Sequence, residues 1–109
     1  ADQHGCPTPA WLIADTTAEI LRQGIAEPGI RHLVACGQAT WHGFAEAIFD
    51  EASRRGLIAR RPAVTPIATA DYPTRAVRPA YSVLDTARLR GEYALDLPNW
   101  RDALARTLA

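Results

Sequence analysis

The segment between Thr40 and Gly56 constrains the fold more than any other part of this sequence. Thr40 is a favourable helix cap, apolar residues then recur every three or four positions, and Gly56 ends the pattern. This spacing predicts an amphipathic helix, whose apolar face has to pack against the rest of the chain. The residues of that face are Trp41, Phe44, Ala45, Ile48, Phe49 and Ala52.

A first helix is predicted to begin at Thr8-Pro9, because a hydroxyl cap followed by proline suits the first turn of a helix. Residues 30–36 and 64–67 predict two short strands, and Pro66 places the second at a sheet edge. The first helix is expected to bury one apolar stripe, consisting of Trp11, Ala14, Ala18, Leu21 and Ile25.

The second half of the chain predicts less regular structure. Residues 68–83 contain two prolines and no period, so we expect an extended, irregular segment of the kind that often carries binding residues. A short helix is expected from Asp85 to Gly91, and a last helix from Leu97-Pro98 onward, with one apolar face. That face consists of Trp100, Leu104 and Leu108. The expected fold is a small mixed α/β domain over residues 1–109, with about four helices and short strands.

Composition limits the chain to one small domain and excludes several functions. Its 109 residues are 48% apolar with a net charge of zero, which argues against a nucleic-acid or membrane-surface binder. No apolar run approaches the ~20 residues of a membrane span, and no signal peptide is recognisable. The chain has no methionine, so we expect a piece of a longer protein. It also has no lysine, which excludes Schiff-base, phosphate-loop and Tyr-x-x-x-Lys chemistry within it.

The cysteines and histidines do not form a recognisable metal motif. These residues are His4, Cys6, His32, Cys36 and His42, and their spacing matches no zinc finger or knuckle. The two cysteines flank the first helix, and without signs of secretion we expect two thiols rather than a disulfide. We expect neither a metal site nor a cysteine nucleophile.

Four arginines cluster around Gly56, at the end of the strongest predicted helix. Cations at that position complement the negative end of the helix dipole, and no aromatic residues are interleaved with them as in a nucleic-acid patch. We interpret the cluster as a solvated helix end. Its members are Arg54, Arg55, Arg60 and Arg61.

Two segments are candidates for ligand binding. Residues 2–8 form a polar loop, stiffened by glycine and proline, that enters a helix and offers backbone N–H groups. Residues 72–79 hold two arginines between prolines, and a preorganised guanidinium suits a phosphate or carboxylate. Each has a structural alternative: an ordinary capped entry loop for the first, and an arginine paired with a carboxylate such as Asp85 for the second.

Several motifs resemble, in one order along the whole chain, the C-terminal portion of the dTDP-4-dehydrorhamnose reductase family, which belongs to the extended short-chain dehydrogenases/reductases. The motifs are Asp2-Gln3-x-Gly5-x-Pro7-Thr8, His32-Leu33-Val34, Gly37-x-x-Thr40-Trp41-x-x-Phe44-Ala45, Ile67-x-Thr69-x-x-Tyr72-Pro73-Thr74-x-Ala76-x-Arg78-Pro79, Ser82-x-Leu84-Asp85 and Leu97-Pro98-x-Trp100. The resemblance covers only the last third of such an enzyme, without its Rossmann core.

The resemblance implies a nucleotide-sugar site. It places the first-motif loop against the substrate sugar and Arg78 near the diphosphate. The complete set of implied substrate-binding residues is Gln3, Gly5, Pro7, Thr8, Tyr72, Arg78 and Pro79. This chain departs from the family pattern at three positions, Cys6, Arg75 and Tyr81, and the last two put the fine sugar specificity in doubt.

The resemblance also implies the activity of the longer protein, a cytoplasmic reductase converting dTDP-4-dehydro-L-rhamnose to dTDP-L-rhamnose. NADPH or NADH would bind to an N-terminal Rossmann domain outside this chain, with Mg²⁺ and a homodimer as further expectations. This chain alone is expected to be inactive, without catalytic residues or a cofactor of its own. The alternative is a non-catalytic interaction module, like the regulatory subunit of methionine adenosyltransferase.

Overall fold

Four helices and one short sheet form the architecture of the computed structural model, which describes residues 1–25 and 27–109. The helices are α1 (Ala10–Gln23), α2 (Trp41–Arg54), α3 (Ala87–Tyr93) and α4 (Trp100–Thr107), and the strands are β1 (His4–Gly5) and β2 (Ala39–Thr40). This confirms the predicted mixed α/β class. Within the described residues, no helix has both the length and the apolar character needed to cross a membrane.

Helix α2 confirms the strongest sequence prediction. The Thr40 hydroxyl accepts a hydrogen bond from the Gly43 amide at 3.0 Å, as an N-cap side chain should. Beyond the last turn, Gly56 adopts a left-handed conformation with a φ of 71°. The predicted stripe is wrong at Trp41, which is 71% exposed because the first turn of α2 borders an open cleft.

Helix α1 begins one residue later than its predicted start. Pro9 is the cap residue rather than the first helical residue, and no side chain caps the helix. The Thr8 hydroxyl donates to the Cys6 carbonyl at 3.1 Å instead. The sequence pattern is that of a capped helix, but the hydroxyl also accepts a hydrogen bond from the distant Ala35 amide at 3.2 Å and does not cap α1.

The apolar stripe predicted for α1 is also wrong. The buried residues are Leu12 and Thr16, both in the first half of the helix. Apolar residues occur on several faces of α1, so packing against the core, rather than periodicity, decides which face is buried. The predicted stripe residues that are exposed instead are Ala14, Ala18, Leu21 and Ile25.

Strand β1 lies between β2 and the end of the irregular segment. It pairs antiparallel with β2, with His4 opposite Thr40. On its other side His4 forms a parallel bridge with Tyr81. Two hydrogen bonds make this bridge, from the His4 amide to the Ala80 carbonyl at 2.7 Å and from the Ser82 amide to the His4 carbonyl at 2.8 Å. The N-terminal strand therefore holds two distant segments of the chain together.

The two predicted strands at residues 30–36 and 64–67 do not form. Of the first, only Cys36 pairs, in an isolated parallel bridge with Asn99. The second has no regular secondary structure. An extended segment becomes a strand only where a neighbour supplies hydrogen bonds, and the described residues place no ladder beside either segment.

Helix α3 is displaced from its predicted range. The Asp85 carboxylate accepts a hydrogen bond from the Ala87 amide at 2.8 Å, so the predicted start is nearly correct. The helix then continues through Gly91 to Tyr93. It ends at Ala94, which has a left-handed conformation with a φ of 50°. Glycine usually ends helices in this way, which explains the error at Gly91.

Helix α4 starts after the predicted Leu97-Pro98. Its cap is Asn99, whose side-chain oxygen accepts a hydrogen bond from the Arg101 amide at 2.9 Å. The predicted apolar face is nearly correct, with Trp100 buried and Leu104 half-buried. The helix therefore covers the core with the face that periodicity indicates.

The core is small and is shared among α1, α2, the chain before α2 and the chain around the start of α4. Phe44 of α2 is half-buried and meets the Trp100 ring edge-on, with ring centroids 6.0 Å apart at 80°. The backbone amide of Trp100 donates to the Cys36 carbonyl at 2.9 Å. This bond fixes α4 to residues 30–36, the central extended segment. The buried cluster consists of Leu12, Ala35, Ala47, Leu97 and Trp100.

Three of the four arginines in the cluster at the end of α2 pair with carboxylates of that helix. Arg54 and Arg55 both donate to Glu51, at 2.5 and 2.6 Å. Arg61 donates to Asp50 at 2.6 Å and also pairs with Glu46. These pairs agree with the interpretation as a solvated helix end.

Candidate functional site

A cleft of about 750 Å³ lies between the N-terminal loop, the first turn of α2 and the end of the irregular segment. Part of the extended segment before α2 and one face of α4 complete its lining. Of the seven residues predicted for the site, six line this cleft: Gln3, Gly5, Pro7, Thr8, Arg78 and Pro79.

The seventh residue, Tyr72, does not line the described cleft and is 68% exposed. It follows the 3₁₀ turn Thr69–Asp71 on the same irregular segment as Arg78. Six residues of extended chain span up to about 20 Å, so one end of the segment can line the cleft while the other does not. A substrate contact by Tyr72 stays a prediction.

The N-terminal loop is held in place by side chains that bond to the backbone. The Cys6 thiol donates to the Ala35 carbonyl at 2.8 Å. The Thr8 hydroxyl accepts from the Ala35 amide at 3.2 Å, so both backbone groups of this buried residue are bound by the loop. The loop therefore presents its cleft-facing residues from a fixed backbone.

The irregular segment is fixed at both ends to residues before and in β1. The Asp2 carboxylate accepts hydrogen bonds from the Thr69 amide at 3.0 and 3.1 Å and from its hydroxyl at 2.6 Å. The hydroxyl hydrogen bond is the main reason that the pKa of Asp2 lies below its usual range. At the other end, Ser82 lies so close to Gly5 that a Cβ there would be 3.3 Å from its hydroxyl oxygen. Arg78 thus lies between two anchored points of the irregular segment, Thr69 and Ser82.

Arg78 is the one arginine among the described lining residues, and that lining contains no carboxylate. Its guanidinium has no ion-pair or hydrogen-bond partner within residues 1–25 and 27–109. Asp85, the suggested structural partner, instead accepts a hydrogen bond from the Ala87 amide. The alternative in which Arg78 pairs with Asp85 is therefore wrong, and the cleft contains an unpaired cation.

The remaining polar groups of the cleft suit a neutral, hydroxyl-rich partner. The Gln3 amide makes no hydrogen bond in the described part of the chain, so it is available to donate and accept.

Partial burial raises the pKa of the Cys6 thiol, and the neighbouring Cys36 adds to this effect. A raised pKa favours the protonated form of the thiol, which is the less nucleophilic form.

Cys6 and Cys36 are both free thiols in the structure. Among residues 1–25 and 27–109, no three His, Cys, Asp or Glu side chains come together to hold a metal ion. The described residues therefore do not by themselves fit the Mg²⁺ that the family resemblance implies.

Sequence reasoning did not identify the apolar part of the lining. Several of its residues belong to predicted strands or helix faces, where the pattern indicates burial without showing what covers the side chain. Only the tertiary fold shows that they surround an open space. These residues are Ile13, Leu33, Val34, Trp41, Phe44, Trp100 and Leu104.

Comparison with known proteins identifies the family. Residues 1–109 match the family described as RmlD substrate binding domain, and the chain belongs to this family. It is 40% identical over 110 residues to the dTDP-4-dehydrorhamnose reductase of Salmonella typhimurium, covering 98% of this chain and 37% of that protein. It is 41% identical over 115 residues to the same enzyme of Burkholderia thailandensis, covering 95% and 38%.

A solved structure supports the same relationship. The crystal structure of dTDP-4-dehydrorhamnose reductase from Bacillus anthracis, in complex with NADP, matches with a TM-score of 0.84 and 28% identity. The match covers 97% of this chain and 35% of that one. The chain thus spans a little over a third of the length of its relatives, and the family predicted from the motifs is confirmed.

Proposed function

We propose that this chain is the substrate-binding part of a dTDP-4-dehydrorhamnose reductase and that its cleft holds the dTDP-sugar. In this proposal the longer protein reduces dTDP-4-dehydro-L-rhamnose to dTDP-L-rhamnose with NADPH. The observation that carries the proposal is the unpaired guanidinium of Arg78 in a cleft whose described lining has no carboxylate.

Arg78 is suited to the diphosphate of such a ligand. A guanidinium offers parallel donors that match phosphate oxygens, and this one has no protein partner to give up within the described residues. Pro79 keeps the preceding backbone extended, so little conformational freedom is lost when a ligand binds. The diphosphate therefore gains a charge-assisted contact at low ordering cost.

The N-terminal loop is suited to the sugar. Sugar hydroxyls both donate and accept, as does the free amide of Gln3. Gly5 and Pro7 line the cleft from the same fixed stretch of backbone. Binding in this orientation positions the sugar without needing a charged residue next to it.

The residues of this chain do not form a nicotinamide-nucleotide site or a proton-transfer pair. The chain has no lysine, and no G-x-G-x-x-G loop follows a strand. We therefore assign hydride and proton transfer to the remainder of the longer protein. The contribution of this chain is to bind and orient the nucleotide-sugar, and by itself it should show no turnover.

Calorimetry of dTDP-rhamnose binding to the full-length protein tests the assignment of Arg78. Arg78→Ala should weaken binding by about 1.5–3 kcal/mol, roughly 10- to 150-fold, and Arg78→Lys should recover part of the loss. Arg75→Ala is the matched control, because Arg75 is exposed on the same segment and does not line the described cleft. Wild-type affinity in Arg78→Ala would show that the diphosphate binds elsewhere.

An activity assay separates the enzyme from the interaction-module alternative. Full-length protein should oxidise NADPH, followed by absorbance, when dTDP-4-dehydro-L-rhamnose is added. Binding of dTDP-rhamnose without any turnover would favour a non-catalytic module that keeps the substrate cleft. Absence of both binding and turnover would contradict the proposed function itself.

A further inference from the structure

Trp41 stands apart from the other two tryptophans of the chain. Trp11 and Trp100 each donate the indole N–H to a protein oxygen, at 2.9 and 3.1 Å. Each of these rings is also covered by an arginine guanidinium, at 3.9 and 4.4 Å from the ring centroid. The Trp41 indole has neither contact within the described residues and is 71% exposed. Its flat face and its N–H are both unused.

The backbone of Trp41 is nevertheless rigidly placed. It is the first residue of α2, and the preceding Thr40 both caps that helix and pairs with His4 in the sheet. A tryptophan has two side-chain torsions, so a ring on this backbone loses little entropy when a ligand contacts it. Trp41 is thus an exposed aromatic surface on a fixed backbone in the lining of the cleft.

The chemistry of the cleft divides between its lining groups. Arg78 offers a charge, Gln3 offers a hydrogen-bonding amide, and Trp41 offers an extended aromatic face. A nucleoside diphosphate sugar contains one group of each corresponding kind, joined in the order base, diphosphate, sugar. Base–aromatic stacking needs no hydrogen-bond partner, because every base has a π-face.

We propose that Trp41 is the stacking platform for the nucleobase of the bound ligand, an assignment that rests on the proposed function. Trp41 then contributes affinity for the nucleotide part of the ligand, whereas the N-terminal loop discriminates between sugars. The large exposed area of the indole is explained by its role, since a base covers it when the cleft is filled.

Titration of the full-length protein with dTDP, which lacks the sugar, and with dTDP-rhamnose tests this assignment. Trp41→Ala should weaken the binding of both ligands by about the same factor, 5- to 100-fold. Trp41→Phe keeps an aromatic face and should stay within about fivefold of wild type. Leu57→Ala is the control, because Leu57 is 57% exposed beyond the far end of α2 and does not line the described cleft.

The outcomes separate the two proposals. Wild-type protein that binds neither ligand would contradict the proposed function. If Arg78→Ala binds weakly but Trp41→Ala binds dTDP like wild type, the function stands and the stacking assignment is wrong. If Trp41→Ala loses affinity for dTDP-rhamnose but not for dTDP, the sugar, not the base, contacts the indole. A lowered melting temperature of ligand-free Trp41→Ala, with no recovery of affinity in Trp41→Phe, would show that the indole packs against protein.

Discussion

Removing the Trp100 side chain should come close to unfolding the domain. Trp100 is 5% exposed and belongs to the central buried cluster. Truncation of a buried aromatic residue to alanine costs about 3–5 kcal/mol. Loss of its hydrogen bond to the Gln38 carbonyl, 3.1 Å long, adds about 1 kcal/mol. The sum is comparable with the whole stability of a small domain, about 5–15 kcal/mol.

The neighbouring Phe44 provides the comparison for this prediction. Phe44 contacts the Trp100 ring edge-on but is only half-buried. Phe44→Ala should therefore lower the free energy of unfolding by less than Trp100→Ala does. Trp100→Phe should fall between wild type and Trp100→Ala, since it keeps most of the ring contacts and loses the indole N–H. Urea denaturation followed by circular dichroism gives all three values. A cost below about 1 kcal/mol for Trp100→Ala, or one below that of Phe44→Ala, would refute this view of the core.

Other positions give predictions that depend on backbone conformation, titration and a buried amide. Gly37 has a φ of 89°, and a Cβ there would lie 2.9 Å from a neighbouring side chain. Gly37→Ala should therefore lower the free energy of unfolding, measured by thermal denaturation, by about 2–4 kcal/mol. Gly56→Ala, with a φ of 71° and open space, should cost only about 1–2 kcal/mol. The lowered pKa of Asp2 means that its anchor to Thr69 is fully present above about pH 4 and is lost as the pH falls through the lowered value. The protection factor of the Thr69 amide in hydrogen exchange should therefore drop on acidification, and Asp2→Asn should remove this pH dependence. Thr8→Val leaves a buried amide unpaired and should cost about 1–3 kcal/mol in urea denaturation, whereas Thr8→Ser should restore stability.

Helix α2 could be predicted from the sequence because its signals are local. The Thr40 cap, the apolar period and Gly56 all lie within one segment, and each has a physical cause that does not depend on distant residues. Whether a residue of the apolar face becomes buried, however, depends on distant parts of the chain. Trp41 fits the period as well as Phe44 does, but only Phe44 has a partner in the core.

The strands could not be predicted in the same way because a strand is defined by its partner. Residues 30–36 have the composition of a strand, yet within the described residues they have only the bridge at Cys36. His4–Gly5 contains glycine and no β-branched residue, and still pairs, because Ala39–Thr40 and the end of the irregular segment lie on its two sides. Pairing over such sequence distances has no short-range signal.

The sequence predicts which residues line the cleft where the motif residues share one short loop, and does so less well where they are spread along an extended segment. Gln3, Gly5 and Pro7 are close in the chain and arrive at the cleft together. Arg78 also lies there, but Tyr72 of the same motif does not line the described cleft. Sequence spacing fixes distance only when the backbone conformation between two residues is known.

Thr8 shows how a residue of a binding motif can act on a ligand through the backbone. Its hydroxyl donates to the Cys6 carbonyl and accepts from the Ala35 amide. A hydroxyl has a single proton to donate, so Thr8 can offer a sugar only a remaining lone pair. Its main effect is to hold the loop against the central segment, which fixes the position of Gln3. In the proposed function, the free amide of Gln3 provides the specific contact with the sugar, and Thr8 holds the loop that positions it.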